Sequence, residues 1–222
     1  MSRRVRPQLP TVDWPQVPAE EFRLSWAEAG VQLGTNRQGQ VVTLPAGPGL
    51  TRIAVLGESL FGRLFGLRML AVGARVTAAT RVPAQWQPLV QVAAGRLSIA
   101  EGPAAWPPGP AKPPGQEDGP QALVCDLRRP PSPSLAGGAW RTILHVTRDA
   151  PRRSYFWTAP DALLALDARF AETVGRLLGA EAARLTAALC PGEVILFRPA
   201  GTEILRLDIT PAETALLTPG RP

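Results

Sequence analysis

The run RIAVL at 52–56 is apolar at nearly every position, which suits a strand covered on both faces. Gly57 follows it. Leu60, Leu64, Leu67 and Leu70 then recur at helical spacing up to Gly73, and a second β-type run opens at Arg75. Strand, tight turn, helix and strand in that order require a sheet with helices laid against it. No other part of the chain restricts the fold as much.

The alternation continues downstream. The pattern predicts a helix over 84–94 despite Pro88, and strands at 96–100, 122–126, 141–146 and 163–167. A helical block at 168–189 is interrupted near Gly179, and strands at 193–198 and 203–209 close the chain around Gly201. Upstream, GVQLGTNRQGQVVTLP at 30–45 reads as a hairpin turning at Asn36–Gly39. The expected class is α/β: a mostly parallel, Rossmann-like or P-loop-like three-layer sheet with an N-terminal β-hairpin and an antiparallel C-terminal edge. Residues 1–29, punctuated by proline and carrying Trp14 and Phe22, read as an extended arm. Residues 30–218 read as one α/β domain, with a Pro-rich insertion at 102–120 that fits neither helix nor central strand.

The corner after the first strand of the alternation admits three readings. Gly57, Glu58, Ser59, Leu60, Phe61 and Gly62 fill the first six places of a P-loop. The next two places hold Arg63 and Leu64 instead of lysine and a hydroxyl residue, so the phosphate-reaching ammonium and the Mg²⁺-anchoring oxygen are missing. Glu58 adds a carboxylate where phosphate would lie. At ~4 Å and an effective dielectric of ~20 that repulsion is on the order of 4 kcal/mol. Asp126 ends an apolar strand, as a metal-holding aspartate would, but Leu127 follows it and not a second carboxylate. The second reading is a dinucleotide turn with Arg81 at the end of the next strand facing a 2′-phosphate; the glycine fingerprint is incomplete. The third is a tight turn that only lets the helix approach the sheet. Candidate nucleotide- or anion-binding residues are Gly57, Ser59, Gly62, Arg63, Arg81 and Asp126.

His145 is the single histidine and stands at the end of a strand, without a nucleophile signature beside it. Arg148, Arg152 and Arg153 precede Tyr155, Phe156 and Trp157. Arginine beside aromatic rings suits either a protein-binding hot spot, built on Arg152, Arg153, Phe156 and Trp157, or a loop whose rings enter the core. Neither a catalytic set nor a cofactor is indicated, and one histidine with two cysteines cannot supply a four-ligand zinc site from nitrogen and sulfur. Cys125 and Cys190 both lie in apolar surroundings and read as buried thiols of a reducing compartment.

The net charge is +6, and Lys112 is the sole lysine, so the positive charge is almost all arginine. The arginines are scattered as singles and pairs, which ranks nucleic acid low among partners. The basic start lacks the apolar run of a signal peptide. The longest apolar stretch, 60–74, carries Arg63 and Arg68 and is too short to span a bilayer. These features predict a cytoplasmic protein, at most peripheral to the inner face of the membrane.

VQLGTNRQGQVVTL and then TRIAVLGESLFGRLFGLRMLAVGARVTAATRVPAQW, with Arg68 to Arg81, Pro83 and Trp86 as the recurring words, resemble the cytoplasmic part of EccE-type subunits of actinobacterial type VII secretion systems. The segment AARLTAALCPGEVILFRPAGTEILRLDITPAE is similar to the end of FtsK/EccC-like ATPase domains. The resemblance implies an accessory subunit whose partners are other proteins of a secretion machine, with no chemistry of its own. The alternative drawn from the corner residues is a nucleotide-binding enzyme, either an NADP-dependent reductase or a nucleotide-dependent transferase.

Overall fold

A computed structural model describes residues 30–45, 50–102, 111–113, 119–132, 135 and 138–218. The arm at 1–29 and most of the Pro-rich insertion lie outside the described residues.

The elements begin with the hairpin β1 (Gly30–Asn36) and β2 (Val41–Pro45). Its turn is local: the Asn36 side-chain oxygen accepts from the backbone N–H groups of Gln38 and Gln40, and Gly39 takes the left-handed φ of +77°. The corner unit follows as β3 (Leu50–Leu56), α1 (Ser59–Ala71) and β4 (Arg75–Thr80). Next come a 3-10 turn (Pro83–Trp86), α2 (Gln87–Val92) and β5 (Leu97–Ala100). The single helix expected over 84–94 is thus split, and Pro88 sits in the first turn of α2, where its missing N–H has no partner to lose. The chain continues through β6 (Gln121–Asp126), β7 (Arg141–Thr147), the single turn α3 (Tyr155–Thr158) and β8 (Ala162–Ala165). It ends with α4 (Ala171–Leu178), α5 (Ala180–Ala187), β9 (Glu193–Arg198), β10 (Gly201–Leu207) and α6 (Pro211–Leu217).

All ten strands form one sheet in the order β2-β1-β10-β9-β8-β3-β7-β6-β4-β5. The six strands from β8 to β5 are mutually parallel. The antiparallel β9 and β10 extend them, and the hairpin pairs onto β10. Strands β3 and β4 are joined by α1 but are not neighbours; β7 and β6 lie between them. A Rossmann first unit puts its two strands side by side, so the dinucleotide arrangement expected from Gly57 and Arg81 is not formed. The fold class is the expected one, a mostly parallel Rossmann-like or P-loop-like three-layer sheet with an N-terminal hairpin and an antiparallel edge.

The sheet has helices on both faces, because strand residues alternate between two cores. Ile53 and Val55 face Phe61, Leu64, Phe65 and Met69 of α1, together with Trp86, Leu89 and Leu217. Ala54 and Leu56 face Phe156, Trp157, Phe170 and Val174 on the opposite side. Each large side chain buried this way contributes roughly 1.5–3 kcal/mol of transfer free energy.

Two residues of the segment 68–86 have structural work in this chain. Arg68 is mostly buried and donates to both carboxylate oxygens of Glu213 at 2.7 and 3.1 Å. It also donates to the carbonyls of Gln32 and Leu33 at 2.6 and 3.0 Å and to that of Asp208. One guanidinium therefore ties α1 to β1, to the end of β10 and to α6. Trp86 is 1% exposed and lies against Gly66, where an added Cβ would come within 3.1 Å of the indole.

Candidate functional site

The parallel strands deliver their C-terminal ends to one edge of the sheet, where ligands of open α/β folds bind. Gly57 follows β3, Asp126 closes β6, Thr147 and Arg148 end β7, Leu166 follows β8 and Arg81 follows β4.

The corner itself is tighter than the sequence pattern implied. Only Gly57 and Glu58 separate β3 from α1, which begins at Ser59. The positions matched to the middle of a phosphate-wrapping loop are already helical, so the expected loop geometry is absent. Gly57 donates its N–H to the Thr147 carbonyl at 2.9 Å, and Leu166 packs directly on it: an added Cβ would lie 2.2 Å from Leu166 Cδ1. Gly62 lies inside α1 and lets the helix rest on Val124 and Val146, at 3.1 and 3.2 Å from a Cβ built there.

The charged groups of the corner are satisfied internally. Glu58 offers one oxygen to Arg148 Nε at 2.6 Å and the other to Arg169 at 2.7 Å. Arg169 is set in place by the short helical turn after β8, where Asp167 Oδ1 accepts from its N–H. Ser59 Oγ donates to Asp126 Oδ1 at 2.9 Å. The first-turn hydroxyl and the strand-end carboxylate thus meet each other directly.

Arg63 does not reach this edge. It is 8% exposed and donates to Gln85 Oε1 and to the Leu217 carbonyl at 3.4 Å. Its Nε is buried without a partner, and burial lowers its affinity for the proton. The expectation of a phosphate-binding guanidinium at 63 is corrected: the residue bridges α1, the 3-10 turn and α6. Leu64, in the place of the metal-anchoring hydroxyl, is in the core.

The loop after β7 resolves the second pair of readings. Phe156 and Trp157 are 5% and 3% exposed and pack edge-on against His145. They are core residues, which removes them from the expected hot spot, while Arg152 and Arg153 stay exposed. His145 accepts from Trp157 Nε1–H at its Nδ1 and donates from Nε2 to the Leu127 carbonyl, both at 2.8 Å. Burial pushes its pKa down to about 4. A neutral imidazole with both nitrogens engaged holds the β6 and β7 loops together and has no free face for catalysis.

The cysteines also part company. Cys125 is buried, its thiol donating to the Arg129 carbonyl at 3.7 Å and its pKa pushed up to about 12 by burial. Cys190 is exposed, contrary to the expectation of two buried thiols, because it follows α5 on the surface.

Sequence reasoning missed the grouping of basic residues here. Arg81, Arg128, Arg129 and Arg152 line one cleft of about 410 Å³ beside Thr147 and Asp149. Spread over three loops, they show no basic run in the sequence. Among the described residues, no three carboxylate, imidazole or thiol groups cluster to hold a metal, and no helix is long and apolar enough to cross a membrane.

No protein-family profile and no curated protein matches the chain in sequence. Among solved structures it is similar to the genome-packaging NTPase B204 of Sulfolobus turreted icosahedral virus 2 in complex with AMPPCP. That likeness has 8% identity and a TM-score of 0.49, covering 75% of this chain and 100% of that one. It is also similar to B204, the DNA-packaging ATPase of Sulfolobus turreted icosahedral virus, with 9% identity and a TM-score of 0.47. There the coverage is 72% of this chain and 98% of the other.

Proposed function

We propose that this chain is a non-catalytic α/β accessory domain that keeps the corner of a nucleotide-binding fold as a structural joint and works through protein partners, as a subunit of a type VII-like secretion machine. The observation that carries the reading is the occupied corner. Leu166 fills the space over Gly57, Glu58 places its own carboxylate at the start of α1 under the clamp of Arg148 and Arg169, and Asp126 is engaged by Ser59. The groups that would meet a phosphate and its metal are spent on one another.

A surface for partners lies nearby. Leu60, Leu207, Ile209 and Leu217 line an apolar groove of about 360 Å³ between α1, the end of β10 and α6, and Ile209 is 45% exposed. Exposed apolar grooves of this kind mark interaction surfaces. The resemblance of residues 30–90 to EccE-type subunits supplies the class of partner.

Two measurements test the proposal. Purified protein is expected to consume no ATP or GTP in magnesium buffer; robust turnover that disappears in Asp126→Asn would overturn the non-catalytic half. Co-expression with the products of adjoining genes is expected to yield a stable complex with an FtsK-like ATPase on size-exclusion chromatography. Separate elution of the two would remove the secretion assignment and leave the first result standing.

A further inference from the structure

The cleft at the ends of β4, β6 and β7 carries a charge that the rest of the fold does not explain. Arg81, Arg128, Arg129 and Arg152 surround about 410 Å³, and the single carboxylate among the lining residues is Asp149. Asp149 meets only Arg128, at 3.6 Å, with both side chains more than 70% exposed. Such a contact is weak and screened. Arg81, Arg129 and Arg152 have no acidic partner among the described residues. Elsewhere Arg37, Arg52, Arg68, Arg148, Arg169, Arg184 and Arg198 each meet a carboxylate, while others such as Arg75 and Arg206 stand singly among the described residues; the cleft differs in bringing its arginines together. Four guanidinium groups drawn from three separate loops repel one another, a cost to the folded state that an anionic ligand removes.

We propose that this cleft binds a small oligophosphate, held by its phosphate oxygens. Guanidinium forks match phosphate in a two-pronged geometry and form charge-assisted hydrogen bonds. The cleft volume is that of a small-molecule site. Arg152 also borders an adjoining cleft of about 510 Å³ with Arg153 and Arg176, so the positive wall continues past one phosphate group toward a second. No aromatic ring lines the 410 Å³ cleft; Trp157 borders the adjoining one, but at 3% exposure it has no open face for a base. A surface built for single-stranded nucleic acid would present rings for bases to stack on; this one offers contacts to phosphate alone. The site adjoins the occupied corner at Thr147, which lines the cleft and accepts from the Gly57 N–H. It needs no metal, performs no hydrolysis, and does not depend on the proposed secretion role.

The test is calorimetric titration of the full chain with sodium tripolyphosphate, orthophosphate and a short oligodeoxythymidine. Tripolyphosphate is expected to bind saturably and more tightly than orthophosphate. Arg129→Glu with Arg152→Glu is expected to weaken it by about tenfold or more, the loss of at least one charge-assisted contact. Both side chains are exposed, and Arg129→Gln with Arg152→Gln serves as a milder variant if the reversal disturbs folding. Arg75→Glu with Arg206→Glu, at the opposite end of β4 and on β10, changes net charge equally without touching the cleft and is expected to keep wild-type affinity. An absence of saturable tripolyphosphate binding would refute the site. An equal loss in Arg75→Glu with Arg206→Glu would reduce it to general charge attraction. Oligodeoxythymidine binding that tripolyphosphate does not displace would make the surface a nucleic-acid contact, also against the proposal.

Discussion

His145 is the chain's single histidine, so its protonation is open to measurement without interference from another imidazole. Folded, it is neutral, with a pKa near 4; unfolded, it returns to about 6.5. Below pH 6.5 the unfolded chain takes up a proton that the folded chain refuses, so stability falls as pH falls. Linkage between these two values gives a loss of about 2 kcal/mol by about pH 5 and about 3 kcal/mol by about pH 4. For a chain of this size the first figure lowers the melting temperature by roughly 4–8 °C. Glu193, held down to about 2 by Arg37 and the Cys190 N–H, adds its own acid sensitivity only below about pH 4.5, so the window from 7 to 5 isolates the imidazole. The assay is urea unfolding across that window for the wild type and for His145→Gln, which offers Trp157 and Leu127 an acceptor and a donor without a titrating group. The wild type is expected to lose stability on acidification and the variant to lose much less. Parallel slopes for the two proteins, or an imidazole proton resonance that titrates near pH 6.5 in the folded state, would refute the reasoning.

Two further substitutions probe the fold around the corner. Arg68→Ala leaves the Glu213 carboxylate half-buried and frees three carbonyls, and it is expected to cost about 3–5 kcal/mol in chemical denaturation. Gly57→Ala drives a methyl into Leu166 and is expected to cost about 1–3 kcal/mol. Adding Leu166→Ala should recover part of that loss, and strict additivity in the double-mutant cycle would disprove the contact.

Much of the fold is legible from short stretches because its causes are local. The hairpin follows from Asn36 and Gly39, and α1 from its leucine spacing and Gly73. The interruption between α4 and α5 falls at Gly179, whose φ is +97°. Helix α6 was not among the expected elements although its signal is local: Thr210 and Glu213, spelled in TPAE, form a reciprocal capping box. Strand order was not legible, since parallel pairing joins segments that no turn connects. The corner's occupancy shares that limit: the Glu58–Arg169 contact spans 111 positions, and nothing near Gly57 announces Leu166. Glycine spacing alone suggested a loop, but the leucine periodicity around it already favoured helix, and helix prevailed. The arginine cleft escaped notice because its members are neighbours in space only.

The early start of α1 has a bearing on any attempt to write the P-loop motif into this scaffold. Writing lysine at 63 and threonine at 64 would recreate the letters of the motif, yet both positions lie in the second turn of a formed helix. Both side chains there are sequestered from solvent, Arg63 at 8% and Leu64 at 3% exposure. The new ammonium would have to be desolvated, and the new hydroxyl would replace core hydrocarbon. A phosphate-wrapping loop at this corner would demand unwinding that first turn and clearing Leu166 from above Gly57, a change of backbone path that no pair of side-chain replacements provides.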